Sequence, residues 1–138
     1  MDIAIVYDSR TGTTRAAAEK MAQMAAAAGH VSAAVAVQAA LPGNISAADV
    51  VCVGSWTEGL FFIRQHATKA TMEFIDSLSL DRTPAAVFCT YKTSPGKMLD
   101  KMASALEARG AQVTGQFRSR GPNVADGFAG WLESFSGA

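Results

Sequence analysis

Neither sign of charge prevails in this sequence. Twelve Lys and Arg offset twelve Asp and Glu, and no long run of either sign occurs. A nucleic-acid scaffold or a membrane-surface binder carries such an excess, so neither partner is expected. Cysteine is scarce too: Cys52 and Cys89 form no C-x-x-C pair and each lies in an apolar run, as buried free thiols of a reducing cytosol do. His30 and His66 lack the spacing of metal ligands, and no metal site is expected. The start "MDIAIVYD" has no basic n-region, which argues against a signal peptide. No apolar stretch reaches membrane length without a charge, and a cytoplasmic location is expected. Two phosphate-binding patterns are missing as well, G-x-x-x-x-G-K-[ST] and G-x-G-x-x-G. The chain has no repeat, linker or low-complexity segment, and its 138 residues suffice for one domain, 1–138, that buries a core without staples.

What is present is alternation. Ile3–Tyr7 ("IAIVY") reads as a buried strand, followed by a helix over Thr13–Ala28 with Ala17, Met21, Met24 and Ala28 on one face and Gly29 as its stop. Val31–Val37 is a second strand. Leu41–Asn44 ("LPGN") is a turn signal, with at most a short helical turn over Ser46–Ala48, and Val50–Ser55 is the third strand. A polar-aromatic loop is expected as far as about Thr68, then a helix with Thr71, Phe74, Ile75 and Leu78 on one face. Ala85–Tyr91 is the fourth strand. Ser94 and Pro95 suit an N-cap and first helical residue, opening a helix with Met98, Met102 and Leu106 inward and Gly110 at its end. Gln112–Phe117 is the fifth strand, and Val124, Phe128, Trp131, Leu132 and Phe135 have the core spacing of a last helix.

Five short strands alternating with helices imply a doubly wound α/β fold, a parallel sheet covered on both faces. In such sheets a ligand sits beyond the carboxyl ends of the strands, where strand order reverses. Three loops matter there: Ser9–Thr14, Ser55 onward and Thr90 onward. The first, "SRTGTT", suits a phosphate. The helix it opens has amides without acceptors and a positive dipole end. Ser9, Thr11 and Thr14 add hydroxyl donors, and Gly12 lets the backbone come close. Arg10 is expected to point outward. No cysteine lies in the loop, which argues against a phosphatase. The alternative reading of the stretch is a capped helix start with extra hydroxyls.

"SRTGTT" resembles the [ST]-x-T-G-x-T phosphate loop of flavodoxins, and it stands where they have it. The resemblance runs from Ile3 to about Phe135, and the undivided last strand makes the chain similar to a short-chain flavodoxin. It implies a five-stranded parallel sheet in order 2-1-3-4-5 and a noncovalent FMN. The residues it assigns to the cofactor are Ser9, Arg10, Thr11, Gly12, Thr13 and Thr14 in the first loop, Ser55, Trp56, Thr57, Glu58 and Gly59 in the second, and Thr90, Tyr91 and Lys92 in the third. Trp56 and Tyr91 are the candidates to stack on the flavin ring, unless they pack at the domain edge; Phe61 and Phe62 compete, although such a pair is more often core. Gly59 follows a peptide free to turn toward the ring. Two departures stand out. Trp56 is not directly followed by glycine, and the rim holds Arg10, Arg15, Arg64, Lys92 and Lys97 where flavodoxins are acidic. The resemblance implies an electron carrier between redox proteins. The alternative is an FMN-dependent reductase of a quinone, tetrapyrrole or other small substrate, although no proton-donor group is evident beside the ring. A domain that kept the fold without a flavin is a further alternative. A signalling receiver is disfavoured, because Gly54, Ser55 and Trp56 stand where its acceptor Asp belongs and Asp8 is alone.

Overall fold

The computed structural model describes residues 1–60, 63–91, 97–119 and 127–136, with the backbone alone at 58–60, 63–65, 119 and 135–136. Strands β1 (Asp2–Asp8), β2 (Val31–Ala36), β3 (Val50–Trp56), β6 (Pro84–Thr90) and β7 (Gln112–Ser119) form one parallel sheet in the order β2-β1-β3-β6-β7. With the small hairpin set aside, this is the expected 2-1-3-4-5. The order reverses between β1 and β3, so the crevice beyond their carboxyl ends is where such a fold takes its ligand.

The central strands are apolar on both faces because helices cover both. Val6, Val51, Val53, Val87 and Cys89 face a core closed by α3 (Lys69–Asp76) and α4 (Met98–Ala108), through Phe74, Ile75, Met98, Met102 and Leu106. Ile3, Ile5, Val50, Cys52 and Phe88 face the other, closed by α1 (Thr13–Ala27) and α5 (Phe128–Ser136), through Ala17, Met21, Phe128 and Trp131. The small residues Ala17, Ala18 and Ala25 bring α1 close to the sheet. Trp131 and Phe128 meet Phe117 of β7 edge-on, with ring centroids 5.9 and 6.2 Å away. Cys52 and Cys89 are free and fully buried on opposite faces of the sheet, and burial pushes both thiols up to about 12.

Phe88 is among the largest fully buried side chains, and Gly54 makes room for it. The two are register partners on β3 and β6, and a Cβ at Gly54 would lie 2.1 Å from Phe88 Cε2.

Four expectations need correction. The "LPGN" turn is a short helix, α2 (Pro42–Ser46), because Pro42 at its start lacks an N–H that no helix start needs; it ends where the helical turn at Ser46–Ala48 was expected. The stretch after Trp56 is not all loop: β4 (Glu58–Leu60) and β5 (Ile63–His66) pair antiparallel, with a register shift between Glu58 and Leu60. Gly59 therefore lies in an irregular strand. Two strands of three and four residues are too short to show a period of two. Trp56 closes β3, one residue beyond the expected end at Ser55, rather than opening the loop. Finally, α4 starts at Met98 with Lys97 before it, later than the expected start. Ser94, Pro95, Lys92, Phe61, Phe62 and Val124 lie outside the described residues.

Candidate functional site

The loop between β1 and α1 closes on itself. Ser9 Oγ accepts a hydrogen bond from the Gly12 amide at 3.1 Å. Gly12 has φ 93°, and a Cβ there would meet nothing within 4 Å, so the left-handed backbone and not crowding asks for glycine. The first bond of α1 runs from Ala16 N to Gly12 O at 2.9 Å, and no side chain caps the helix. The amides of Thr13, Thr14 and Arg15 are thus left without an intrahelical acceptor at the positive end of the dipole. No acid occupies this first turn. Thr11 is exposed and Thr13 half-buried beside these amides. Amides converging with hydroxyls are a donor set for a phosphate.

Thr14 is buried, and its Oγ1 lies 2.7 Å from Thr90 Oγ1. When Thr90 is the donor, the Thr14 hydrogen stays free for an anion, since a hydroxyl has one hydrogen and two acceptor sites. The Thr90 carbonyl in turn accepts from the Thr57 amide and hydroxyl, both at 3.0 Å. Thr57 Oγ1 also lies 3.0 Å from Met98 Sδ at the start of α4. Thr90, at the end of β6, therefore ties together the start of α1 and the end of β3.

A second buried network lies beneath. Asp8 accepts from Thr68 Oγ1 at 2.5 Å and from Gln38 Nε2 at 3.2 Å. Thr68 is the N-cap of α3, accepting from the Thr71 amide at 3.2 Å, and its own amide donates to Ser55 Oγ at 3.1 Å. Ser55 Oγ donates to the Trp56 carbonyl at 2.7 Å. The expected cofactor residues Ser55 and Thr57 thus have hydroxyls already engaged within the protein. Asp8 and Thr68, which sequence reasoning did not assign to the site, brace the bases of the first and second loops. The signal for Thr68 was present, a threonine just before an amphipathic helix. For Asp8 it was an acid closing an apolar strand.

Above these networks, Arg10 reaches across the crevice. Its Cζ lies 5.4 Å from the centroid of the Trp56 ring, a cation–π contact. Arg10 is exposed as expected, yet its outward path ends on the half-buried ring. Tyr91 is half-buried and packs against the core beneath α3 and α4. Glu58 and Gly59 are placed by backbone alone in β4, and Lys92 is outside the described residues. The structure so brings Ser9–Thr14, Ser55–Thr57 and Thr90 together at one edge of the sheet. Arg15 Nε donates to Glu19 Oε1 at 2.6 Å, which raises the guanidinium pKa further.

The flavodoxin family model matches residues 5–132. No curated protein matches the chain. Solved structures do, at low identity. Two-electron reduced flavodoxin of Megasphaera elsdenii is 22% identical with a TM-score of 0.78, covering 93% of this chain and 98% of that one. Oxidised Flavodoxin 2 of Bacillus cereus is 19% identical with a TM-score of 0.79, covering 99% of each. A flavodoxin from the domain Archaea is 18% identical with a TM-score of 0.76, covering 96% of this chain and 99% of that one.

Proposed function

Since the chain belongs to the flavodoxin family, whose cofactor is FMN, we propose that it carries single electrons between redox proteins. The observation that supports this reading best is the start of α1, where three amides without acceptors meet the hydroxyls of "SRTGTT" beyond the sheet edge. In this reading Ser9, Thr11, Gly12, Thr13 and Thr14 hold the FMN phosphate, and Arg10 adds a positive charge beside it. Trp56 lies against the flavin ring and excludes water from one face. Its half-buried ring with Arg10 on it suits this better than Tyr91, which packs into the core. Ser55, Thr57 and Thr90 hold the loops in place through their bonds within the protein. Glu58, Gly59, Tyr91 and Lys92 follow β3 and β6 and border the ring.

Bound FMN supplies redox chemistry in steps of one or two electrons; the chain binds and orients it. Its partners are a reductase and an acceptor protein. We place the protein in the cytoplasm as one domain over residues 1–138. No helix among the described residues is long and apolar enough to cross a membrane.

The test is the absorbance spectrum of freshly purified protein with the released flavin identified, followed by a reductive titration. A carrier takes up electrons in two resolved one-electron steps and leaves NAD(P)H and quinones unturned. Steady turnover of NAD(P)H with a quinone, and a single two-electron step, identify a reductase instead.

A further inference from the structure

We propose that the rim around Arg10 and Trp56 is a docking face for an acidic redox protein. This rests on the carrier reading above and adds the chemistry of its partner. In a parallel sheet every helix starts at the carboxyl edge of the strands, so the position of a charge along each element tells which edge it occupies. Arg10 lies in the first loop, Arg15 in the first turn of α1, Lys69 at the first position of α3, Lys97 just before α4 and Arg118 at the penultimate position of β7. Five cations on five different elements thus border one edge, and all are exposed.

The acids near that edge offset part of this charge. Among the described residues, Glu58 opens β4 just beyond β3, and Asp8 is buried and hydrogen-bonded to Thr68 and Gln38. Asp100 of α4 accepts from Gln116 Nε2 at 3.2 Å. Glu19 and Glu73 lie one turn farther along their helices, where they pair with Arg15 and Lys69. The opposite edge holds Asp2, Asp49, Asp76, Asp81 and Glu107, against Arg82 and Arg109. A chain of zero net charge is therefore uneven along its strands, with exposed cations gathered at the candidate site and acids in excess at the opposite edge.

Helix stability does not account for this. Acids belong at helix starts and cations at helix ends. Yet α1 and α3 have no acid in the first turn, and α1, α3 and α4 have no cation in the last. A pattern that runs against local preference at one edge points to function there. The cations sit on several elements around the crevice, which is a footprint for a protein surface and more than one phosphate needs. Complementary charge speeds encounter and orients the partner with its acidic patch over the Trp56 edge.

The experiment measures binding of the intact protein to cytochrome b5, an acidic one-electron carrier, and to cytochrome c, a basic one, by calorimetric titration at low and physiological salt. Cytochrome b5 is expected to bind more tightly, and its affinity to fall on the order of tenfold with added salt. The variant Lys69→Glu, Lys97→Glu, Arg118→Glu changes none of the residues assigned to FMN; it is expected to lose cytochrome b5 and gain cytochrome c, with flavin content unchanged. Should that variant fail to fold, Lys97→Gln alone is expected to weaken cytochrome b5 a few-fold. Tighter binding of cytochrome c by the native protein, or a charge-reversed variant with unchanged preference, overturns the proposal. So does tighter binding of a single-stranded oligonucleotide than of cytochrome b5 at equal salt, which would assign the face to nucleic acid. Because binding is read without electron transfer, a protein that held no FMN would fail as a carrier while this result stood or fell separately.

Discussion

Thr14 and Thr90 stand 76 positions apart in the chain, and their hydroxyls meet at 2.7 Å in the interior. One belongs to the first turn of α1 and the other ends β6, so a single buried bond joins the loop read as the phosphate cradle to the loops bordering the ring. Through the Thr90 carbonyl the same hub holds Thr57, and so the end of β3. A site assembled from three loops needs such ties before a ligand arrives, because each loop alone has few contacts to fix it.

The exposed hydroxyl of Thr11 gives the cleaner test of the phosphate assignment. Hydrogen bonds to a charged group are worth roughly 1.5–3 kcal/mol, or about ten- to hundredfold in affinity. Thr11→Ala is expected to weaken FMN by that factor and to leave riboflavin, which has no phosphate, nearly unchanged. Thr14→Ala is expected to do the same and also to lower the melting temperature without ligand, since it strips a buried hydroxyl of its partner. Equal losses for FMN and riboflavin would remove the phosphate from this loop.

Trp56 is expected to quench the fluorescence of bound flavin. Trp56→Ala relieves part of the quenching and weakens binding by about 1–3 kcal/mol, the scale of other aromatic stacks. Arg10→Ala leaves the ring in place but removes its cation, a loss of about 0.5–1 kcal/mol at an exposed site. Its signature is a shift in tryptophan emission of the flavin-free protein. Quenching and affinity that stay the same in both Trp56→Ala and Tyr91→Ala would mean that another side chain faces the ring.

Gly54→Ala is expected to destabilise the fold by about 1–3 kcal/mol, the usual range for an overpacked core. The added methyl collides with the Phe88 ring on the neighbouring strand. Phe88→Leu in the same background restores part of the loss, and a double-mutant cycle in urea measures the coupling. Additive effects would show that the crowding is relieved elsewhere.

The two thiols give stability a pH dependence of known sign. Burial raises Cys52 and Cys89 from 9.0 to about 12, so the folded state keeps its protons where the unfolded chain loses them. Their contribution is complete below pH 9.0 and is lost as pH rises toward about 12. At pH 10 the loss is roughly 1.4 kcal/mol per thiol. Urea unfolding at pH 8 and pH 10 should therefore show a steeper decline for the native protein than for Cys52→Ala, Cys89→Ala. Parallel declines would place the titration on other groups.

The sequence by itself determined the parts that depend on local pattern. Apolar runs bounded by turn residues marked the five long strands, because strands covered on both faces have no polar side to show. Helical spacing picked out Met21, Phe74, Met102 and Trp131 as core, since exposure repeats with the helix turn. "SRTGTT" was legible as a binding loop because three of its features are local: the glycine, the hydroxyls and the helix that follows. Tertiary structure alone decided how the loops meet. The β4–β5 hairpin escaped notice because its strands are shorter than a detectable period and its pairing is with itself. Thr14 on Thr90, Asp8 under Thr68 and Arg10 over Trp56 join residues that no spacing relates. Those contacts follow from strand order and register, which the crossovers set once the chain has folded, and they convert three separate loops into one site.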